Sequence, residues 1–412
     1  MELHIGIDDT DSIEGMCTTY VGAVLKDELS RFSTVIESRL VRLNPNIEFK
    51  TRGNASVSLG IKTSRPEKVK SLVLETVEEY AVFEDRNTNP GVVFLEGNVP
   101  QEFKSIYKRA LHEVVPIKDA EKTALEYGAE VHKFKNGRGI VGAIAAIGSD
   151  LNANDHTYEI IAYRHRKNWG TERKVDKDSV VQMDKKTFPL TFNNVDYKYA
   201  RMLITPHSPC PVLFGIRGEN PDVLNQAYSM VSPGEPVERN MLYITNQGTD
   251  AHLEEVNSIA DVSPYSSVIL QGTVAGEPKT ITGSHVIFSL SDGQGTIDCA
   301  AYEPTGDFRW IVRELKPYDE VKVSGGVKSD TINLEKMEVL KLADISREEN
   351  PLCPSCNARM ESAGKHQGFR CKRCKTNADA KVKTHIERKL ENKIYQVAPN
   401  AMRHLSKPLV RY

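Results

Sequence analysis

Three aspartates, Asp8, Asp9 and Asp11, fall within four positions of "HIGIDDTDSIEGMCTT" (residues 4–19), directly behind a short apolar run. Carboxylates this close repel one another and need an offsetting partner: solvent, a helix start or a metal ion. An acidic turn with a helix cap explains one acid and leaves two. Mg²⁺ explains more, because it takes one or two carboxylates and completes its shell with water and phosphate oxygens. A second polar turn, "KTRGNAS" (50–56), supplies Lys50, Arg52 and Asn54 beside a glycine. Cations there could neutralise the triphosphate of ATP held by such an ion; an ordinary turn is the alternative. No Walker loop (G-x-x-x-x-G-K-[ST]) or kinase signature is present, so a nucleotide site would be of another type.

At the other end, "CPSC" (353–356) and "CKRC" (371–374) form two C-x-x-C knuckles. Cys353, Cys356, Cys371 and Cys374 can close a tetrahedral sulfur shell, the geometry zinc accepts. With no open position, such a Zn²⁺ holds the fold and does not catalyse. Cys17, Cys210 and Cys299 are scattered and read as small buried hydrophobes. In the middle of the chain, "TPHSPCP" (205–211) is stiffened by three prolines, and "FGIRG" sets Arg217 between glycines, open to contact with RNA phosphate or base.

The elements that must position these residues follow from pattern. "ELHIGIDDTD" alternates like a strand ending in acid, and Tyr20, Val21, Val24, Leu25 and Leu29 recur at helical spacing. Thr18 or Thr19 then sits at the helix N-cap. Ligands bind at such strand ends, and helix N-termini accept phosphate. "RGIVGAIAAIG" (138–148) reads as a buried strand and "YEIIAYRH" (158–165) as another. "RMLITPHSPCPVLFGIRGENPDVLNQAYSMV" reads as strand, loop, strand, helix. Asp196 reads as a surface carboxylate. Mixed strands and helices of this kind suggest an α+β sandwich of ferredoxin-like type. Residues 266–342 give five short strands with one helix near 307–315, an OB-fold pattern suited to single-stranded nucleic acid or RNA loops. The short join near 255–265 predicts linked but separately folded units. No fixed-period repeat is present, which excludes a solenoid.

The chain has 412 residues, 39% hydrophobic and 27% charged, as expected of a multidomain globular protein. The absence of a long apolar window and of a signal-peptide pattern points to a cytoplasmic protein without a membrane span. Net charge is −2. Basic residues nonetheless cluster at 163–174 and 365–393, which fits contact with nucleic acid through part of the surface.

Taken in order, "GIDDTDS…GMCTTY", "KTRGNA", "PCPVLFGIRG", the OB-fold pattern and the four-cysteine ribbon closely resemble the archaeal tRNA(Ile) 2-agmatinylcytidine synthetase family, across essentially the whole chain. The resemblance implies a multidomain α+β protein: a kinase-like α/β domain (1–125), a ferredoxin-like domain (126–260), an OB-fold β-barrel (261–345), and a zinc ribbon with C-terminal extension (346–412). It implies ATP-dependent ligation of agmatine to C2 of the wobble cytidine of tRNA(Ile) with a CAU anticodon, releasing AMP and pyrophosphate, so that the anticodon reads AUA. Asp8, Asp9 and Asp11 would serve Mg²⁺ and phosphates, and Thr18 would be phosphorylated by the enzyme itself. Lys50, Arg52 and Asn54 are candidates for ATP, and Arg217 for RNA. Tyr20, Gly22, Pro209 and Pro211 mark a candidate agmatine cleft between the first two domains. The protein is expected to be a monomer. Two other readings compete: a non-enzymatic OB-fold and zinc-ribbon protein binding single-stranded nucleic acid, and a small-molecule kinase with an RNA-binding tail.

Overall fold

The computed structural model describes all 412 residues. Strand β1 (Glu2–Asp8) buries Leu3, Ile5 and Ile7 on one face and ends in the acidic turn. Helix α1 (Thr18–Leu29) follows, with all five residues read at helical spacing buried. Its N-cap is Cys17, not a threonine; Thr18 opens the first turn, and its hydroxyl is taken up by Thr10 instead. Strands β2 (Thr34–Arg42) and β3 (Ala55–Lys62), helix α2 (Pro66–Tyr80), strand β4 (Gly91–Glu96), helices α3 (Gln101–His112) and α4 (Ile117–Glu126) and strand β5 (Glu130–Lys133) complete the first half.

Residues 138–148 depart from expectation. They form helix α5 (Gly139–Gly148), not a strand, buried on all sides. Periodicity cannot separate a fully buried helix from a fully buried strand when every residue is apolar or small. The small residues matter for packing instead. A Cβ on Gly6 of β1 would lie 2.2 Å from the Ala143 carbonyl oxygen, and one on Gly148 2.1 Å from that of Phe103. Helix α5 can therefore lie directly on β1 and α3.

The second half contributes β6 (Thr157–Arg164), α6 (Lys177–Thr187), β7 (Thr191–Phe192), the hairpin β8 (Val195–Asp196) and β9 (Arg201–Met202), β10 (Val212–Gly218), α7 (Pro221–Met230) and β11 (Val237–Thr245). The strand, loop, strand, helix order read across 201–231 is present. Asp196 is buried, not a surface carboxylate, because its Oδ1 accepts the backbone N–H groups of Lys198 and Tyr199 and closes the hairpin turn. One nine-stranded sheet, in the order β5-β4-β1-β3-β2-β11-β6-β10-β7, runs through both halves. Its seam is the β2–β11 pair, where Arg39 faces Ile244 and Leu40 faces Thr245 in parallel.

Beyond β12 (Glu254–Val256), strands β13 (Ser267–Val274), β14 (Lys279–Ile281), β15 (His285–Ser291), β16 (Thr296–Ala301), β17 (Glu320–Lys328) and β18 (Thr331–Lys341) follow. Pairing β13-β17-β18-β16-β15, with β15 returning to β13, closes a five-stranded barrel. Helix α8 (Phe308–Arg313) lies where expected. The barrel has its own core, including Val268, Phe288, Val323 and Met337. After the cysteine-rich segment, residues 394–396 add a strand to β18, and the last residues cross back to the large sheet. No helix is long and apolar enough to cross a membrane.

Glu335 of β18 anchors that return. It is buried and meets His252 at 3.1 Å, Arg403 at 3.3 Å and the Ser406 hydroxyl. Burial alone would raise its pKa; the His252 and Arg403 charges and the Ser406 hydrogen bond outweigh burial and hold it at about 2. A depressed carboxylate stabilises the fold above its unfolded pKa, near 4.3, and loses that contribution as pH falls through the folded value. Glu335→Gln should therefore cost about 3 kcal/mol at pH 7, with the deficit closing between about pH 4.3 and pH 2. Urea unfolding of both proteins at pH 7 and pH 3 checks this; a deficit independent of pH would refute it.

Candidate active site and zinc-binding cluster

The acidic turn opens onto a cleft of about 290 Å³ between the two halves of the large sheet. Asp8 is the last residue of β1 and points under α5: a Cβ on Gly142 would meet its Oδ2 at 1.9 Å. Only glycine allows that approach. Asp8 Oδ1 accepts the Asp9 N–H at 2.7 Å, and Oδ2 has no hydrogen-bond partner. Burial, with the Asp9 charge adding to it, pushes the Asp8 carboxyl well above the usual carboxylate range. Asp9 adopts a left-handed backbone (φ 60°), which turns its side chain into the cleft. Burial also lifts Asp9, against the opposing Arg138 charge. Its Oδ2 accepts from Arg138 at 3.1 Å and from the Asn89 N–H at 3.2 Å, and its Oδ1 from the Thr51 hydroxyl at 3.3 Å.

Asp11 is held by Arg52, whose Nε and Nη2 lie 2.9 and 2.8 Å from its Oδ2. Arg52 also reaches the Met16 carbonyl and, at 3.3 Å, the Ser208 hydroxyl of the proline-rich loop. One guanidinium thus ties the acidic turn to the second half. The three carboxylates do not converge as one ligand set; only the cysteine quartet brings together three or more metal-capable side chains. Asp9 and Asp11 are each neutralised by an arginine. Asp8 and Asp9 are left as the pair of hard oxygen donors nearest the cleft wall.

Thr18 and Thr19 line the cleft at the start of α1, where backbone N–H groups and the helix dipole favour an anion. Lys50 lines it too, but its ammonium donates to the Pro45 and Ile47 carbonyls (3.2 Å to Ile47) and so holds its own loop. Asn54, also with positive φ, donates to the Asn44 carbonyl at 2.9 Å. Arg217 lines the opposite wall, 3.4 Å from Glu159.

Tyr20 and Gly22 do not reach the cleft, which corrects their grouping with it. The Tyr20 hydroxyl donates to the Glu238 carboxylate at 3.2 Å among Tyr80, Tyr163 and Trp169. Gly22 gives room to Tyr243 and Val57 on the far side of α1. From the proline-rich loop, Pro206, Ser208 and Cys210 form the lining; Pro209 and Pro211 flank Cys210 without entering it.

Sequence reasoning missed Arg138, Thr51, Arg42, Glu159 and His404, all in the lining. Arg138 immediately precedes α5, and misreading that helix hid its role. His404 gave no signal at all: it is a lone histidine far beyond the ribbon.

The four cysteine Sγ atoms lie within 4.8 Å of one another, with Cys356 and Cys371 at 3.5 Å. A zinc–sulfur bond of about 2.3 Å sets sulfurs about 3.8 Å apart in a tetrahedron, so the set fits Zn²⁺. The Cys374 N–H points at Cys371 Sγ (3.4 Å), the kind of donor that supports a thiolate. On the barrel, Trp310 and Tyr318 are exposed, and Arg309 lies over the Trp310 ring at 4.8 Å, an aromatic and cationic surface suited to stacking bases.

Family models match most of the chain: the TiaS TCKD domain over residues 4–136, the TiaS FLD domain over 137–252 and the TiaS C-terminal zinc ribbon domain over 350–390. The tRNA(Ile) 2-agmatinylcytidine synthetase TiaS of Methanosarcina acetivorans is 48% identical over 99% of this chain and 97% of its own. The crystal structure of a complex of TiaS with its isoleucine tRNA and ATP superposes with a TM-score of 0.93 at 43% identity, covering 100% of this chain and 98% of the other. A complex of TiaS with the same tRNA, AMPCPP and agmatine gives 0.90 at 40% identity, with coverage of 100% and 98%.

Cys371→Ser is expected to abolish stoichiometric zinc in the purified protein and to render residues 350–390 protease-sensitive. Elemental analysis with limited proteolysis checks this; full zinc retention would refute the four-thiolate assignment.

Proposed function

Because the chain belongs to the TiaS family, the tRNA(Ile) 2-agmatinylcytidine synthetases, we propose that it ligates agmatine to C2 of the wobble cytidine of tRNA(Ile), using ATP and releasing AMP and pyrophosphate. The observation that carries this reading is the cleft that joins the acidic turn, the N-terminus of α1 and two arginines in one wall. The modified base pairs with A instead of G, so a CAU anticodon reads AUA.

The C2 oxygen of cytidine is a poor leaving group and must be phosphorylated before an amine can displace it. Phosphoryl transfer needs alignment and charge neutralisation. Arg52 and Arg138, already turned into the cleft, are the donors we assign to the ATP phosphates, with the first N–H groups of α1 beside them. Lys50 and Asn54 serve that end by fixing the 44–54 loop. Asp8 and Asp9 would hold Mg²⁺, whose bound charge offsets that of the phosphates. Asp11 orients Arg52. Thr18, at the α1 start and facing the cleft, is the residue we assign as phosphate acceptor.

The 205–211 loop, stiffened by Pro209 and Pro211, forms the wall we assign to agmatine, with Tyr20 and Gly22 supporting α1 from behind. Arg217 is assigned to RNA. The target base must leave its stack to enter. The barrel and zinc ribbon provide the second grip on tRNA that this requires. The domain division is kept as 1–125 kinase-like, 126–260 ferredoxin-like, 261–345 OB-fold and 346–412 zinc ribbon with extension. We assign the enzyme to the cytoplasm as a monomer.

The test is labelled agmatine incorporation, with AMP formation, into isoleucine tRNA transcripts carrying C or U at the wobble position. Incorporation is expected only with C, and Asp9→Asn should reduce it by at least about a hundredfold. RNA binding without ATP breakdown would favour the non-enzymatic reading. ATP consumption without tRNA would favour a small-molecule kinase.

A further inference from the structure

The cleft has a second polar group, separate in hydrogen bonding from the aspartate end. Arg42, just past the β2–β11 seam, donates its Nε to Gln247 at 3.1 Å. Gln247 donates to Glu159, and Glu159 accepts from Arg217 Nε at 3.4 Å. The chain of contacts ends on His404, whose Nδ1 accepts from Arg217 Nη2 at 2.8 Å. Burial, together with the Arg42 and Arg217 charges, drives the His404 pKa well below its ordinary value, so the ring is neutral and can accept this bond. Nη1 of Arg217 has no partner within the chain, and Arg217 and His404 both line the cleft.

His404 does not come from either half of the large sheet. It arrives from the segment beyond the zinc ribbon, and that segment is fixed on both sides. The Gly248 N–H donates to the His404 carbonyl at 2.8 Å, and the Thr249 and Asp250 N–H groups donate to that of Leu405 at 3.1 and 2.8 Å. Leu405 is buried in the core with Val41, Leu43 and Ile244. Arg403 and Ser406 grip Glu335 of the barrel, and Arg403 also reaches Asn46. A ring placed this way cannot follow small movements of its own backbone.

We infer that His404 is a positioning residue for the tRNA nucleotide. Accepting from Nη2 while Glu159 accepts from Nε, it fixes the plane of the Arg217 guanidinium so that the free Nη1 edge faces the flipped nucleotide. This rests on the proposed reaction. The acceptor at Nδ1 matters, and the ring is otherwise replaceable. ATP lies at the Arg52–Arg138 end and does not depend on it.

The test is steady-state agmatine incorporation by the full-length enzyme, varying tRNA and ATP separately. His404→Ala is expected to lower kcat/KM for tRNA tenfold or more and to leave KM for ATP within twofold. His404→Asn, whose amide oxygen can accept from Arg217, should recover most of the loss. Arg217→Ala should lose as much as His404→Ala, and the double variant no more than either alone. Wild-type kinetics in His404→Ala would overturn the inference. So would losses of His404→Ala and Arg217→Ala that multiply in the double variant, or equal losses in His404→Ala and His404→Asn. If the unaltered enzyme incorporates no agmatine, the proposed function fails instead, which separates the two outcomes.

Discussion

The cleft depends on a parallel contact only two residue pairs long. Strands β2 and β11 pair in parallel within a sheet that is otherwise antiparallel, so their C-terminal ends leave on the same side. A reversal of this kind opens a crevice at the strand ends, where open sheets place ligands. Two rungs of backbone hydrogen bonds would hold such a seam poorly. Just beyond it, Asn246 accepts the Arg42 N–H at 2.8 Å and donates to the Arg42 carbonyl, also at 2.8 Å. The side-chain amide continues the ladder where the strands separate. Arg42 then turns its guanidinium to Gln247, so the residue that closes the seam also begins the polar wall.

Charge in this cleft is handled by assignment rather than dilution. Asp9 faces Arg138 and Asp11 faces Arg52, while Asp8 is pressed against α5 at Gly142. A buried carboxylate without a partner is expensive, and burial raises the Asp8 pKa accordingly. Arginines that neutralise acids in the absence of ligand can turn to phosphate when one arrives. Rigid elements carry these groups: β1 and α5 hold Asp8, and the left-handed turn at Asp9 sets the direction of the next carboxylate.

Much of this was legible in the chain. The strand into "DDTD", the helix after "CTT", the five-stranded barrel and the zinc knuckles all follow from alternation, spacing and ligand chemistry. Residues 138–148 did not yield, because a run of glycine, alanine and isoleucine carries no period when every side is buried. The roles of Lys50 and Tyr20 were illegible for another reason. Their types suit ligands, but Lys50 is satisfied by carbonyls of its own loop and Tyr20 by Glu238, more than 200 residues away. His404 shows the limit most clearly, since nothing near it in sequence predicts Arg217 as its partner.

Leu405 completes a hydrophobic core otherwise built from the first half and β11. On the ribosome, residues such as Val41 and Leu43 are therefore made on the order of tens of seconds before the side chain that covers them. The sheet can form early, but its catalytic crevice is finished only when nearly the whole polypeptide has emerged. A nascent or truncated chain would bear the acidic turn without the wall that meets the anticodon. Synthesis order thus acts as a quality gate: the molecule becomes whole at the site of chemistry only when it is whole in length.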